Sequence, residues 1–367
     1  MAIFLFGLFV IAATTNIIYF LSFFSFAGNR STSFLHPKVP VSVVICAKNE
    51  AENLKNFLPA ISEQEYPEFE IIVINDASSD DTQNILEDFQ KLDPKIKIVK
   101  VENNEAFWGS KKYALTLGIK KAKFKHLLFT DADCAPQTQN WITEMSRQFQ
   151  PGISIVLGYG GYFKHKGSFL NKLIRFETLL TAIQYFSYAR LGSPYMGVGR
   201  NLAYTSEQFY NQKGFAKHLH LRSGDDDLFV NEAATVNNTG ICYQKDGITR
   251  SVPKLSFKEW FAQKQRHVSV AKHYKIKHQI LLGLFYVSRL SFWLLLPILL
   301  IFQVQFWFVL AILILKFLIE GLVYFKASRK LDENDVFWLF PIFDLFLIIW
   351  QFTIFITNLF SKPTHWK

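Results

Sequence analysis

Two patterns alternate along the chain: long apolar runs at its ends, and short β-branched runs separated by amphipathic stretches in its middle. From Ala2 to Phe26 there is no charged side chain and the run is dense in Phe, Ile and Leu. It is long enough for a helix to cross a hydrocarbon core of roughly 30 Å. A cleaved signal peptide is the competing reading, but the basic leading region is missing and the apolar stretch exceeds the usual length. Arg30 and Lys38 follow and, by the positive-inside rule, place the carboxyl end of this helix in the cytoplasm. Three further apolar stretches, residues 280–302, 306–324 and 336–360, close the chain. Lys326, Arg329 and Lys330 fall between the last two and read as cytoplasmic. Pro341 and Asp344 interrupt the final stretch, which leaves spanning, kinked and interfacial courses open. Arg289, Lys316, Glu320 and Asp344, in or near these segments, require helix-helix pairing, snorkelling or a polar path.

Between residues 39 and 278 the period changes to that of an α/β domain with a mostly parallel sheet. Strands are predicted at 41–46, 70–74, 96–101 and 126–130, and helices at 49–64, from Asp80, and at 110–121. The turn 75–79 ends the second strand. Ligands of such sheets bind at the carboxyl ends of the strands, where Asp76 and Asp131 both fall. The aromatic, amphipathic segment 169–191 suits a membrane-surface helix and a core helix packed on the sheet equally. Composition shifts near Pro37 and His278 divide the chain into 1–27, 38–278 and 279–361.

Composition sharpens this picture. Of 367 residues, 50% are hydrophobic and 38 are Phe, too apolar for an ordinary soluble enzyme and too charged for a pure membrane bundle. A formal charge of +10 suits anionic headgroups or a phosphorylated substrate. Nucleic acid is disfavoured, because no zinc-finger spacing, basic arm or basic-aromatic motif occurs. Cys46, Cys134 and Cys242 are too dispersed to chelate and too few for a disulfide framework, so reduced structural thiols are expected.

Thr130-Asp131-Ala132-Asp133 sets two carboxylates one residue apart at a strand end, where both can face one hard cation and bridge it to a diphosphate. Gly224-Asp225-Asp226-Asp227 crowds three carboxylates that repel unless a cation, Arg222 or a helix N-terminus compensates. One of them suits a general base, while a helix cap over 228–234 needs only one. Gln263 and Arg266, three apart on one helical face, suit a leaving diphosphate, although basic helices near membranes also meet lipid headgroups.

Taken in order, the stretch 41–50 ending Cys46-Ala47-Lys48-Asn49-Glu50, then 74–78, Lys111 with Ala114-Leu115, 130–134, the Asp225 cluster and Gln263-x-x-Arg266-His267 resemble the family 2 glycosyltransferases. These belong with the cellulose-synthase-like and dolichol-phosphate-mannose-synthase-like enzymes. The resemblance covers about residues 39–278 and implies a GT-A nucleotide-diphospho-sugar transferase domain, its mostly parallel sheet flanked by helices, with transmembrane helices at both ends. It implies donor contacts from Cys46, Ala47, Asn49, Glu50, Asp76, Lys111, Asp131, Ala132, Asp133, Gln263 and Arg266. It further implies Mg²⁺ or Mn²⁺ at Asp133 and Asp131, a base at Asp226 or Asp225, and an acceptor side near Gly199, Arg200 and Asn201. His267 replaces the family's Trp, and Asn75 replaces the first Asp of its usual pair. The implied activity is a hexosyltransferase-type (EC 2.4) inverting transfer from a nucleotide-sugar, a UDP-sugar by the family's habit, to a lipid-linked or membrane-delivered glycan acceptor. The enzyme would be a multi-pass protein of a bacterial inner membrane with its catalytic domain in the cytoplasm. A processive polysaccharide synthase and a non-catalytic nucleotide-sugar-binding scaffold are the alternatives.

Overall fold

The computed structural model describes residues 1–28, 38–102, 111–221 and 223–360. Arg30, Pro37, Ser110 and Arg222 lie outside the described residues. The chain divides into a sheet unit and a helical unit.

In the sheet unit, β1 (Val41–Ala47), β2 (Phe69–Asp76), β3 (Ile96–Val101) and β4 (His126–Asp131) run parallel. They continue through β8 (Leu202–Thr205) and β6 (Ile155–Gly158) to β9 (Thr239–Cys242), in the order β3-β2-β1-β4-β8-β6-β9. Only β8 is antiparallel to its neighbours. Every residue of β1 and β2 is buried, as a sheet covered on both faces demands, and this is why both are predominantly apolar, with the buried Ser42 donating to Glu70. A second sheet joins β5 (Cys134–Pro136), β10 (Thr249–Ser251) and β7 (Gly160–Tyr162). Helices α2 (Ala51–Ser62), α3 (Thr82–Leu92) and α4 (Lys111–Lys121) are the crossovers, followed by α5 (Trp141–Ser146). Gly118 lets α4 lie close on the sheet: a Cβ there would stand 2.5 Å from Ile74 Cδ1.

Local chemistry moves two predicted boundaries. The helix expected from Asn49 begins at Ala51, because Asn49 takes φ +54° and spends its side chain on Ser79 instead of on a helical turn. The strand expected to end at Ile74 runs on through Asn75 and Asp76, which stay in register with β3.

The helical unit holds α1 (Ala2–Ala27), α6 (Phe169–Arg190), α9 (Phe257–Val270), α10 (Ile276–Ile301), α11 (Phe306–Lys330) and α12 (Phe340–Phe360). Four stretches, 2–27, 276–301, 306–330 and 334–358, are helical, long and apolar enough to cross a membrane. The unit also takes in 167–190 and 255–278, which lie inside the span 38–278 that composition bounds. Helix α6 therefore groups with the helices and not with the sheet: Phe186 stacks on Phe26, Phe176 packs against Tyr324 and Phe343, and Arg175 is buried against Glu333 and Asp335. The charged residues of the apolar segments pair with one another. Arg289 of α10 bonds Asp344 of α12, which also accepts from Trp293 Nε1 at 2.9 Å, and Lys316 bonds Glu320 at 2.6 Å.

Candidate active site

The site in the sheet unit is built at the carboxyl ends of β1, β2 and β4. Parallel register sets Cys46 of β1 opposite Asp131 of β4, and Ala47 opposite Asn75 of β2. Beyond these ends the chain is tied by short bonds between loops. Asn49 Oδ1 accepts from Ser79 N–H at 2.8 Å, its own N–H donates to Ser78 Oγ at 3.0 Å, and the Glu50 N–H donates to Thr82 Oγ1 at 3.0 Å. Asn75 closes the adjoining turn by accepting from Ser78 N–H and donating to Gln83. Asp76 is buried with Lys48 Nζ 3.8 Å away, and burial pushes its carboxyl above the usual carboxylate range.

Lys111 is the electrostatic centre. Its Nζ lies 2.8 Å from Asp131 Oδ1 and 3.2 Å from Asp225 Oδ2, so one ammonium joins the two acidic motifs. Lys111, Asp131, Gly199, Asp225 and Asp226 line one cleft with Cys46 in its wall. The Cys46 thiol is raised by burial and stays neutral, so it shapes the wall without competing as a nucleophile.

Asp226 caps α8 (Asp227–Ala233): its Oδ1 accepts from Asp227 N–H and its Oδ2 from Gly199 N–H, both at 2.7 Å. Of the two alternatives in the sequence, the helix cap is met by Asp226. Burial, then the charges of Asp225 and Asp227, push its carboxyl up to about 7.

Asp131, Asp133 and Cys134 bring one ligand atom each to within 4.8 Å of one another. Burial and the Asp131 charge raise the Asp133 carboxyl, a repulsion that a divalent cation would relieve. The Cys134 thiol is fully buried, raised by that burial, and donates to Asp133 Oδ1 at 3.3 Å. The available donors are therefore hard carboxylate oxygens, which fit Mg²⁺ or Mn²⁺. Ala132 is buried between the two carboxylates.

Arg200 lies 4.2 Å over the Tyr162 ring, and its carbonyl accepts from Thr130 and Thr249. Asn201, expected on the acceptor side, has a different task. It is fully buried and its amide is spent on Trp141 Nε1 and on the carbonyls of Tyr159 and Gly247 at 2.7–3.0 Å, so it braces the turn from behind. Gln263 and Arg266 belong to α9 of the helical unit. Two contributors were invisible in the sequence. Ser251 donates to Asp133 Oδ2 from β10, and Lys112 holds the loop before Asp225.

Residues 42–213 match the family model described as Glycosyl transferase family 2. Over that stretch the chain is similar to the family 2 glycosyltransferases. A poly-β-1,6-N-acetyl-D-glucosamine synthase of Staphylococcus epidermidis is 40% identical over 93 residues, 25% of this chain and 21% of that protein. An uncharacterized glycosyltransferase of Haemophilus influenzae is 32% identical over 145 residues, 40% of this chain and 41% of that one. The matches thus span less than half of these two relatives. In structure, the mannosyltransferase PcManGT of Pyrobaculum calidifontis, solved with GDP-Man and Mn²⁺, superposes with a TM-score of 0.60 at 15% identity, covering 95% of this chain and 99% of that one. The likeness establishes a GT-A-type α/β fold, with apolar helices at both ends of the chain.

Proposed function

We propose that the protein is a membrane-anchored, inverting glycosyltransferase that moves a sugar from a nucleotide-diphosphate donor to a lipid-linked or membrane-delivered glycan. The observation that carries this is the Lys111 bridge, which fixes the diphosphate-side carboxylate Asp131 and the acid pair Asp225-Asp226 in one cleft. The carboxyl ends of β1 and β2, with Asp76, are where a nucleotide would sit, beside the loops tied by the bonds of Asn49 and Glu50. A UDP-sugar is the donor implied by the sequence resemblance; the GDP-Man of the P. calidifontis enzyme makes a guanosine donor the comparison to run beside it.

Asp226 takes the acceptor hydroxyl proton as that oxygen bonds to the anomeric carbon, and the bond from that carbon to the diphosphate oxygen breaks on the opposite face. Its elevated carboxyl places proton affinity near neutral pH, as a general base requires. Asp225, held by Lys111, stays fixed beside it and keeps the ammonium aimed into the cleft. Asp131 and Asp133 would hold Mg²⁺ or Mn²⁺, which when bound supplies positive charge to the departing diphosphate. The four long apolar helices support a membrane-embedded enzyme, and Lys326, Arg329 and Lys330 support a cytoplasmic catalytic domain by the positive-inside rule.

The test is transfer by purified full-length protein from labelled UDP- and GDP-sugars to a membrane lipid extract, with and without EDTA. Labelled lipid-linked product, lost with EDTA, supports the proposal, and full transfer in EDTA removes the cation from it. Long polymer would point to the processive alternative, and donor binding without turnover to the scaffold.

A further inference from the structure

Two consecutive lysines stand at the start of α4, where the helix dipole disfavours positive charge. Each is compensated differently. Lys111 meets carboxylates, whereas Lys112 meets backbone carbonyls and is 1% exposed. Its ammonium donates to three backbone carbonyls of one short loop: His218 O at 2.7 Å, Leu221 O at 3.1 Å and Ser223 O at 2.7 Å. An ammonium has three N–H bonds, so the set is saturated.

The loop so gripped leads directly into the acid pair. After Ser223 the chain turns at Gly224, φ +96°, a conformation that favours glycine. Asp225 then reaches Lys111, and Asp226 reaches the Gly199 N–H. Adjacent residues of one helix therefore fix both the backbone just upstream of the acid pair and the first side chain of that pair. No acidic side chain is needed at Lys112 for this, since carbonyl oxygens fix the chain path where a carboxylate would fix only a side chain.

We infer that Lys112 is a positioning residue: by clamping the carbonyls of His218, Leu221 and Ser223 it sets the register of Asp225 and Asp226 against Lys111 and Asp131. This rests on the reading of Asp225 and Asp226 as the acid pair of the transfer, yet the clamp itself is measurable without any substrate.

The experiment compares full-length wild type with Lys112→Met, which keeps the buried chain and removes all three donors, and with Lys112→Gln, which restores two. Hydrogen exchange in detergent should show amides of 218–227 exchanging at least tenfold faster in Lys112→Met, with β1 and β2 unchanged and Lys112→Gln in between. Unchanged exchange at 218–227, or loosening spread equally through β1 and β2, would overturn the clamp. If Lys112→Met does not fold, Lys112→Gln reads the same amides. In the transfer assay, kcat should fall at least tenfold with the nucleotide-sugar KM within about twofold, and partial recovery in Lys112→Gln. An equal loss in KM would overturn the positioning role. Absence of transfer by wild type would count against the proposed function alone, because the exchange measurement still decides the clamp.

Discussion

The backbone N–H of Gly199 donates to Asp226 Oδ2 at 2.7 Å, joining the turn after β7 and α6 to the acid pair. A Cβ at Gly199 would stand 3.3 Å from that same oxygen, tighter than ordinary contact. Gly199→Ala should therefore push the carboxylate off its donor. The expected result is a kcat loss of about tenfold, the cost of misplacing a base, with nucleotide-sugar affinity retained by calorimetry.

Asp226→Asn should lower kcat by about 10²–10⁴-fold, the usual contribution of a general base, while the donor still binds. Wild-type kcat/KM should rise with pH up to about 7, where the Asp226 carboxyl gives up its proton. Stability runs the other way. A carboxyl raised by folding contributes stability below the ordinary carboxylate range and loses it as pH rises through about 7. Asp226→Asn should thus lift Tm by a few degrees above neutrality and leave a smaller difference in acid, measurable by thermal scans at several pH values.

Removing either Asp131 or Asp133 tests the cation. Asp131→Asn and Asp133→Asn should each raise the Mn²⁺ concentration needed for half-maximal donor binding at least tenfold, by titration calorimetry. Ser251→Ala, which removes the hydroxyl donated to Asp133 Oδ2, should shift it only about two- to threefold.

The buried pair Arg289 and Asp344 makes a prediction for the helical unit. Arg289→Leu leaves Asp344 charged and unpartnered by the guanidinium, at a cost of about 3–5 kcal/mol. The double variant Arg289→Leu with Asp344→Leu should recover most of that loss, read as Tm in detergent.

The sequence by itself determined the elements whose signals are local. Predominantly apolar runs announced three of the four long helices and the strands β1, β2 and β4, and acidic residues at strand ends announced Asp76 and Asp131. Those features depend only on which side chains avoid water over a short stretch. What the tertiary structure decided is which distant residues meet. Lys111 gains its meaning from Asp225, Lys112 from three carbonyls, and Asp133 from Ser251. Asn201 turned out to brace the fold, since its amide is spent on Trp141, Tyr159 and Gly247. Helix α6, ambiguous by its amphipathic pattern, was assigned by Arg175 and its aromatic partners in the helical unit. A hydrogen bond or ion pair needs its two partners within a few ångströms, and no pattern along one segment specifies what another segment will bring there.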